Sequence, residues 1–171
     1  SASNLLAEPF IICNGDDIYG DESFKILAEH LKNKKENATI GYKLKDVLPK
    51  NGKVNRGIFE LDENNYVKTI KEVFDIDKNN MNEKGLDENS PVSMNIFALT
   101  PRVINKLEIV LKKFKKNYKD DKKIECLLPN ELSNLIKNKE IKIKVYETNS
   151  KWLGITNPED EITIREFLTK K

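Results

Sequence analysis

The chain has 171 residues but only one histidine and two cysteines, and these shortages exclude several kinds of chemistry. Covalent hydrolysis by a Cys–His or Ser–His pair would have to use His30, which we predict to be a solvated residue late in a helix. Cys13 and Cys126 show no spacing typical of a disulfide framework or a zinc site. We therefore predict that both cysteines are reduced and structural.

Arginine, glycine and long apolar runs are also scarce. The net charge is only +2 and the basic residues are nearly all lysine, which gives no basis for a nucleic-acid partner. The 7 glycines form no cluster that could cradle a triphosphate with backbone N–H groups. No apolar run approaches the roughly 20 residues that a membrane-spanning helix needs. We therefore predict a cytoplasmic protein without membrane association.

A short apolar strand followed by carboxylates is the most informative pattern present. Pro9–Cys13 is typical of a buried strand covered on both faces, and the turn Asn14–Gly20 follows it. Such strands belong to α/β sheets, in which ligands bind beyond the carboxyl ends. Asp16 and Asp17 are therefore placed to hold a divalent cation against a phosphate. The alternative is a turn followed by a helix cap at Asp21.

Hydrophobic periodicity predicts one α/β domain spanning residues 1–171, in which helices alternate with strands. The predicted helices are 22–33, a helix that begins at Thr100-Pro101, 126–137 and 158–169, and the predicted strands are 38–42, 57–62, 65–72, 92–98 and 141–147. Residues 45–55 are expected to form a loop. Residues 74–90 are polar with little to bury, so we predict a mobile loop there.

The acidic turn and several later segments resemble the sugar-nucleotide pyrophosphorylases, nucleotidyltransferases that join a nucleoside triphosphate to a sugar phosphate. In that family a strand ends in a Gly-Asp pair, which Gly15-Asp16 matches. The later segments are Asn55–Asp62 with Val67–Glu72, Val92–Phe97, Glu125–Pro129 and Lys151–Thr156. The resemblance implies a Rossmann-like mixed, mostly parallel sheet flanked by helices, as in nucleotide-diphospho-sugar transferases.

The resemblance also implies roles for individual residues. Asp16 would be the catalytic residue and a ligand of Mg²⁺, with Asp17 as the second choice for the metal. The substrate-binding positions would be Arg56, Gly57, Glu72, Asn95 and Trp152. Gly57 would let the backbone approach the sugar and Glu72 would bind sugar hydroxyls, while the guanidinium of Arg56 suits a phosphate. The implied substrates are a nucleoside triphosphate and a sugar phosphate, or a similar phosphorylated acceptor.

The sequence departs from the family pattern at three places. Gly154 stands where many relatives carry a second metal-binding aspartate, and Asp160 is better explained as part of a helix start. Val73 follows Glu72 where the family usually has a lysine. The Gly-rich loop that binds the triphosphate has no counterpart, and the chain begins at Ser1. We therefore expect the C-terminal part of a longer nucleotidyltransferase, with little activity of its own.

These departures keep a second hypothesis open. The chain could be a non-catalytic module on a degenerate nucleotidyltransferase scaffold, which binds a sugar phosphate or another protein. An apolar sheet edge would also allow association with another copy of the chain.

Overall fold

The computed structural model describes residues 6–34, 36–49, 52–119, 121, 123–154 and 160–169. The strands are β1 (Phe10–Ile12), β2 (Asp17–Ile18), β3 (Asn37–Lys43), β4 (Val54–Leu61), β5 (Val67–Ile76), β6 (Pro91–Leu99), β7 (Ile143–Glu147) and β8 (Leu153–Gly154). The helices are α1 (Asp21–Lys34), α2 (Leu44–Val47), α3 (Pro101–Asn117), α4 (Leu128–Lys137) and α5 (Asp160–Thr169). None of the helices described is long and apolar enough to cross a membrane.

A mixed sheet forms the centre of the molecule, with the strand order β5-β4-β6-β3-β7. Strand β1 pairs with the C-terminal part of β6, on the same edge that β4 uses further along. The predicted mixed sheet flanked by helices is confirmed. The prediction that it is mostly parallel is wrong for the described strands, among which only β3 and β7 run parallel. Strand β6 lies between β3 and β4 and runs antiparallel to both of them and to β1, so one reversed strand makes most of the pairings antiparallel.

Apolar side chains cover both faces of this sheet. One cluster lies between the sheet and α1 and includes Leu27, Ile40 and Ile96, each 0% exposed. The other cluster joins the opposite face to α3 and α4 and includes Phe97, Val103 and Leu132, also 0% exposed. Alternate residues of a strand point to opposite faces, so β6 supplies side chains to both clusters.

Strand β1 is less covered than the sequence predicts. Ile12 is 40% exposed, and Cys13 is exposed as well. Among the described strands β1 pairs only with β6, so its other edge has no partner there. The prediction of a strand buried on both faces is wrong because β1 lies at an edge of the described sheet, where one side of the strand reaches solvent.

The segment predicted as a mobile loop is in part a strand. Strand β5 continues to Ile76, which is fully buried, and Met81 and Leu86 pack against the same cluster. The end of the segment is held by two backbone hydrogen bonds, Leu44 N–H to Ser90 O at 3.0 Å and Lys45 N–H to Glu88 O at 3.1 Å. The segment therefore has more to bury than its composition indicates, and its mobility stays a prediction.

The start of α3 is where the sequence predicts it, directly after Thr100. The side chain of Thr100 does not cap the helix, however, because its hydroxyl donates to Asn37 Oδ1 at 3.1 Å. The predicted last helix is described from Asp160, and its predicted cap at Asn157-Pro158 lies outside the described residues.

His30 is buried, at 5% exposure, which corrects the prediction of a solvated side chain. Its Nδ1 is 2.9 Å from the hydroxyl of Tyr146, and the two rings meet edge to face. Its Nε2 is buried and has no hydrogen-bond partner among the described residues. Burial lowers the pKa of His30, against a smaller opposing effect of Glu36. The folded state therefore disfavours protonation of the imidazole.

This histidine is expected to make stability fall in mild acid. Below the ordinary histidine pKa of about 6.5, the unfolded state binds a proton more readily than the folded state does. The free energy of unfolding therefore decreases as the pH is lowered below about 6.5. The substitution His30→Gln keeps a hydrogen-bonding group for Tyr146 but cannot titrate. Urea denaturation of both proteins from pH 7.5 to 5 checks this. A wild-type pH slope no steeper than that of the variant would show that His30 carries no linkage.

Candidate functional site

The short strands β2 and β8 bring the acidic turn and the tryptophan segment together. They pair antiparallel, with Asp17 opposite Gly154 and Ile18 opposite Leu153. The turn before β2 is held by a hydrogen bond from Asn14 Nδ2 to Asp17 Oδ2 at 2.9 Å. Two segments from opposite ends of the chain thus form one face of the candidate site.

Of the two neighbouring aspartates, Asp17 is the one joined to this site. Its side chain is half-buried and accepts hydrogen bonds, whereas Asp16 is exposed and has no hydrogen bond or ion pair within the described part of the chain. The family resemblance placed Asp16 first. Asp16 belongs to the turn before β2, whereas Asp17 is the first residue of β2 and pairs directly with Gly154. The geometry favours Asp17.

The space beside Asp17 is filled by an indole rather than by a side chain at position 154. A Cβ atom on Gly154 would lie 2.4 Å and 2.5 Å from Cζ2 and Cη2 of Trp152, and 2.7 Å from Asp17 Oδ1. These distances are far below van der Waals contact. No side chain therefore fits at position 154 while Trp152 keeps this position.

Arg56 is fixed over the same indole. Its Cζ atom is 5.5 Å from the centre of the Trp152 ring, within the range of a cation–π interaction. Two further hydrogen bonds hold it, from Nη2 to Val47 O at 2.9 Å and from Nη1 to Asn55 O at 3.1 Å. The guanidinium is thus oriented before any ligand arrives.

Charge and burial oppose each other at Arg56. Burial lowers the pKa of its guanidinium, and the carboxylates of Asp17 and Glu72 act in the opposite direction. An arginine remains protonated under such conditions. Arg56 Nε and Trp152 Nε1 are both buried and have no hydrogen-bond partner among the described residues. The site therefore holds a fixed positive charge with donor capacity to spare.

Glu72 and Gly57 meet across neighbouring strands. Gly57 of β4 pairs with Glu72 of β5 on one side and with Ser93 of β6 on the other. A Cβ atom at position 57 would be 3.7 Å from Glu72 Oε2 and 3.6 Å from the Cβ of Ser93. Partial burial raises the pKa of the Glu72 carboxyl, while the charge of Arg56 lowers it. A carboxylate thus stands beside a stretch of backbone that carries no side chain.

Asn95 lies in a bulge of β6. Gly41 of β3 pairs with Ser93 but Thr39 pairs with Phe97, so β6 carries extra residues between these pairs. Asn95 has a φ of 59° and is exposed. No described contact joins Asn95 directly to another predicted site residue. Its nearest connection to them runs through Met94, the preceding residue.

Sequence reasoning missed Tyr19, which supplies that connection. Tyr19 is 1% exposed, and its hydroxyl lies 3.1 Å from Asp17 Oδ2 and 2.8 Å from the carbonyl oxygen of Met94. The hydroxyl oxygen of Tyr19 also accepts the backbone N–H of Asn14 at 3.2 Å. The available signal was position, since a residue two after Asp17 in an extended segment shares its face.

The donor set for a metal is small. No group of three or more histidine, cysteine, aspartate or glutamate side chains that could hold an ion occurs among the described residues. Asp17, with Asp16 beside it, provides the carboxylates, and the side chain of Asp160 lies outside the described residues. Mg²⁺ commonly binds one or two carboxylates and completes its shell with substrate phosphates and water. The donors are therefore compatible with Mg²⁺ that a phosphorylated substrate helps to hold.

One cleft lies elsewhere, at the start of α3. It has a volume of about 570 Å³ and shares no residue with the site built around Asp17. Its lining includes Arg102, Lys142 and the ion pair of Lys106 with Glu140, whose charged atoms are 2.7 Å apart.

The fold is that of the nucleotidyltransferases that form sugar nucleotides and related compounds. The chain is similar to a protein described as a glucose-1-phosphate thymidylyltransferase from Bacillus anthracis, solved with sucrose, at 10% identity and a TM-score of 0.59. It is also similar to a UDP-glucose pyrophosphorylase, at 20% identity and a TM-score of 0.61, and to a CTP:phosphocholine cytidylyltransferase from Streptococcus pneumoniae, at 12% identity and a TM-score of 0.58.

These similarities cover nearly all of this chain but only part of each neighbour. The three alignments cover 97%, 99% and 98% of the chain, and 57%, 57% and 60% of the respective structures. The chain thus spans less than two thirds of their length. No protein-family model matches the sequence, and no curated protein sequence matches it either.

Proposed function

We propose that this chain provides the acceptor-binding part of a metal-dependent nucleotidyltransferase, which joins a nucleoside triphosphate to a sugar phosphate or a similar phosphorylated acceptor. The observation that carries the proposal is the pairing of β2 with β8, which sets Asp17 beside an arginine stacked on Trp152. A carboxylate and a fixed guanidinium next to each other suit a cation and a phosphate group. The shared fold supports the same reaction class.

In the proposed reaction a phosphate oxygen of the acceptor attacks the α-phosphorus of the triphosphate. One P–O bond forms, the bond between the α- and β-phosphates breaks, and pyrophosphate leaves. No covalent enzyme intermediate is needed, so the protein contributes alignment and charge neutralisation. Mg²⁺, when bound, would offset negative charge on the attacking and leaving oxygens.

Each side chain has a task in this scheme. Asp17, with Asp16 as its neighbour, would hold the metal ion. The guanidinium of Arg56 would bind the acceptor phosphate, and Trp152 would keep that guanidinium in place. Glu72 would accept hydrogen bonds from sugar hydroxyls over the bare backbone of Gly57. Asn95 would add an amide from the bulge of β6.

In a nucleotidyltransferase that contains this chain, the substitution Asp17→Asn is expected to lower turnover about 100-fold or more, because it removes a charge that acts in the transition state. Release of pyrophosphate is measured for each of the four nucleoside triphosphates with glucose 1-phosphate or phosphocholine as the acceptor. Asp16→Asn is the comparison variant, and we expect a smaller loss from it because Asp16 is exposed and has no described contacts with the rest of the site. A larger loss for Asp16→Asn would transfer the role to that residue.

Binding provides a second measurement, because the chain spans less than two thirds of its structural neighbours. Calorimetric titration with UDP-glucose and with glucose 1-phosphate is expected to give an affinity that Arg56→Gln weakens. If the chain neither binds these compounds nor releases pyrophosphate, the proposal is wrong.

One observation favours a non-catalytic binding module instead. Position 154 carries no acid, and the indole of Trp152 fills the space beside Asp17. In that case the chain would bind a sugar phosphate with the same affinity with and without Mg²⁺, and no triphosphate would turn over. A strict metal requirement for binding would exclude this alternative.

A further inference from the structure

The hydroxyl of Tyr19 has two acceptors but a single proton. It lies 2.8 Å from Met94 O and 3.1 Å from Asp17 Oδ2, and its own oxygen accepts the N–H of Asn14. A phenol can donate its hydrogen fully to only one acceptor at a time. The bond to Met94 O is buried, so water cannot replace it when the proton points to Asp17.

The two acceptors lead to different halves of the candidate site. Asp17 is the carboxylate beside Arg56 and Trp152. Met94 O belongs to the peptide that leads into Asn95, in the bulge of β6. Two described side-chain hydrogen bonds hold carbonyls of this bulge, one from Tyr19 to Met94 O and one from Thr39 Oγ1 to Ile96 O at 2.6 Å. The direction of the Tyr19 proton therefore bears on the position of Asn95.

We propose that Tyr19 is a positioning residue that couples the cation side of the site at Asp17 to the sugar side at Asn95 through its single hydroxyl proton. With the Asp17 carboxylate free, the proton is shared between Asp17 and Met94 O. With a divalent cation on Asp17, the carboxylate is a weaker acceptor and the proton turns to Met94 O. The stronger hydrogen bond to Met94 O then stabilises the bulge of β6. The inference rests on the proposed function, because it takes Asp17 as the cation side and Asn95 as the sugar side.

The chain offers a matched control for the variant Tyr19→Phe. Tyr42 is equally buried, at 2% exposure, and its ring lies 6.5 Å from that of Tyr19. Its hydroxyl bonds the backbone oxygen of Tyr19 and the hydroxyl of Ser23, and touches neither Asp17 nor Met94. The variant Tyr42→Phe therefore removes a buried hydroxyl from the same region without touching the proposed connection.

The first experiment needs no ligand. The substitution Asp17→Asn weakens the acceptor at position 17, as a bound cation would, and the amide resonance of Asn95 is followed by NMR. We expect this resonance to move in the wild-type and Tyr42→Phe backgrounds and to stay in place in the Tyr19→Phe background. Equal movement with and without the Tyr19 hydroxyl would overturn the proposal, whether or not the chain is a nucleotidyltransferase.

The second experiment measures the coupling as binding. The affinity for glucose 1-phosphate is determined with and without saturating Mg²⁺, and we expect Mg²⁺ to raise it about 5-fold in the wild type. The ratio should fall to about 1 in Tyr19→Phe and persist in Tyr42→Phe. A Tyr19→Phe protein that keeps the wild-type ratio would contradict the inference. Loss of all ligand binding in the wild type would instead contradict the proposed function, while the NMR comparison still decides the role of Tyr19.

Discussion

The substitution Gly20→Ala is expected to lower the free energy of unfolding by about 3 kcal/mol, from two separate causes. Gly20 has a φ of +76°, a left-handed conformation that costs an alanine about 1–2 kcal/mol. A Cβ atom there would also lie 2.5 Å from both Cβ and Oγ of Ser150. Relieving such an overlap typically costs a further 1–3 kcal/mol, roughly. The segment before Trp152 would have to move away from the start of α1.

Two other glycines separate these causes. Gly85 has a φ of +72° but nothing within 4 Å of a Cβ, so Gly85→Ala measures the backbone cost alone. Gly15 has neither a left-handed φ nor a near neighbour, so Gly15→Ala should be nearly neutral. Urea denaturation of the three variants gives the ranking. If Gly20→Ala were no less stable than Gly85→Ala, the side chain of Ser150 would be able to move aside at little energetic cost.

The substitution Gly154→Ala is expected to cost about 1–3 kcal/mol of stability and to weaken acceptor binding as well. The new methyl group would overlap the indole of Trp152 and approach the carboxylate of Asp17. Trp152 must then move, and Arg56 loses the ring on which it is stacked. Denaturation reports the first effect, and titration with glucose 1-phosphate reports the second.

A double variant tests whether the indole is the obstacle. In a Trp152→Ala background the space beside position 154 is open, so adding Gly154→Ala should cost far less than it does in the wild type. Residues in contact show such non-additive energies. If the two substitutions simply add, the backbone rather than Trp152 excludes a side chain at position 154.

The sequence was a good guide to elements whose signals are local. Periodicity predicted α1 to within one residue at each end, and Thr100-Pro101 predicted where α3 begins. The predicted strands 57–62 and 65–72 correspond to β4 and β5, which pair as a hairpin. The direction of the other pairings could not be predicted, because it depends on which distant strand lies alongside. That is why the sheet was expected to be mostly parallel.

The candidate site divides in the same way. Positions taken from the family resemblance, such as Gly57 and Glu72, lie opposite each other on neighbouring strands. The contacts that give the site its character join segments far apart in sequence, as Arg56 and Trp152 do. No local sequence pattern predicts a cation–π contact between residues so far apart in the chain. His30 was misjudged for the same reason, since its partner Tyr146 lies on a late strand.

The pairings of β6 set an order on folding. Strands β1, β3 and β4 all pair with it, yet it follows them in the chain. During synthesis, β1 and β3 therefore emerge before their shared partner exists, and only the β4–β5 hairpin can form from neighbouring residues. Pairings of high sequence separation close late and slowly. Strands β1, β3 and β4 can therefore be joined only after Leu99 has emerged, and until then the edge of each that will meet β6 is open to any other unpaired strand nearby.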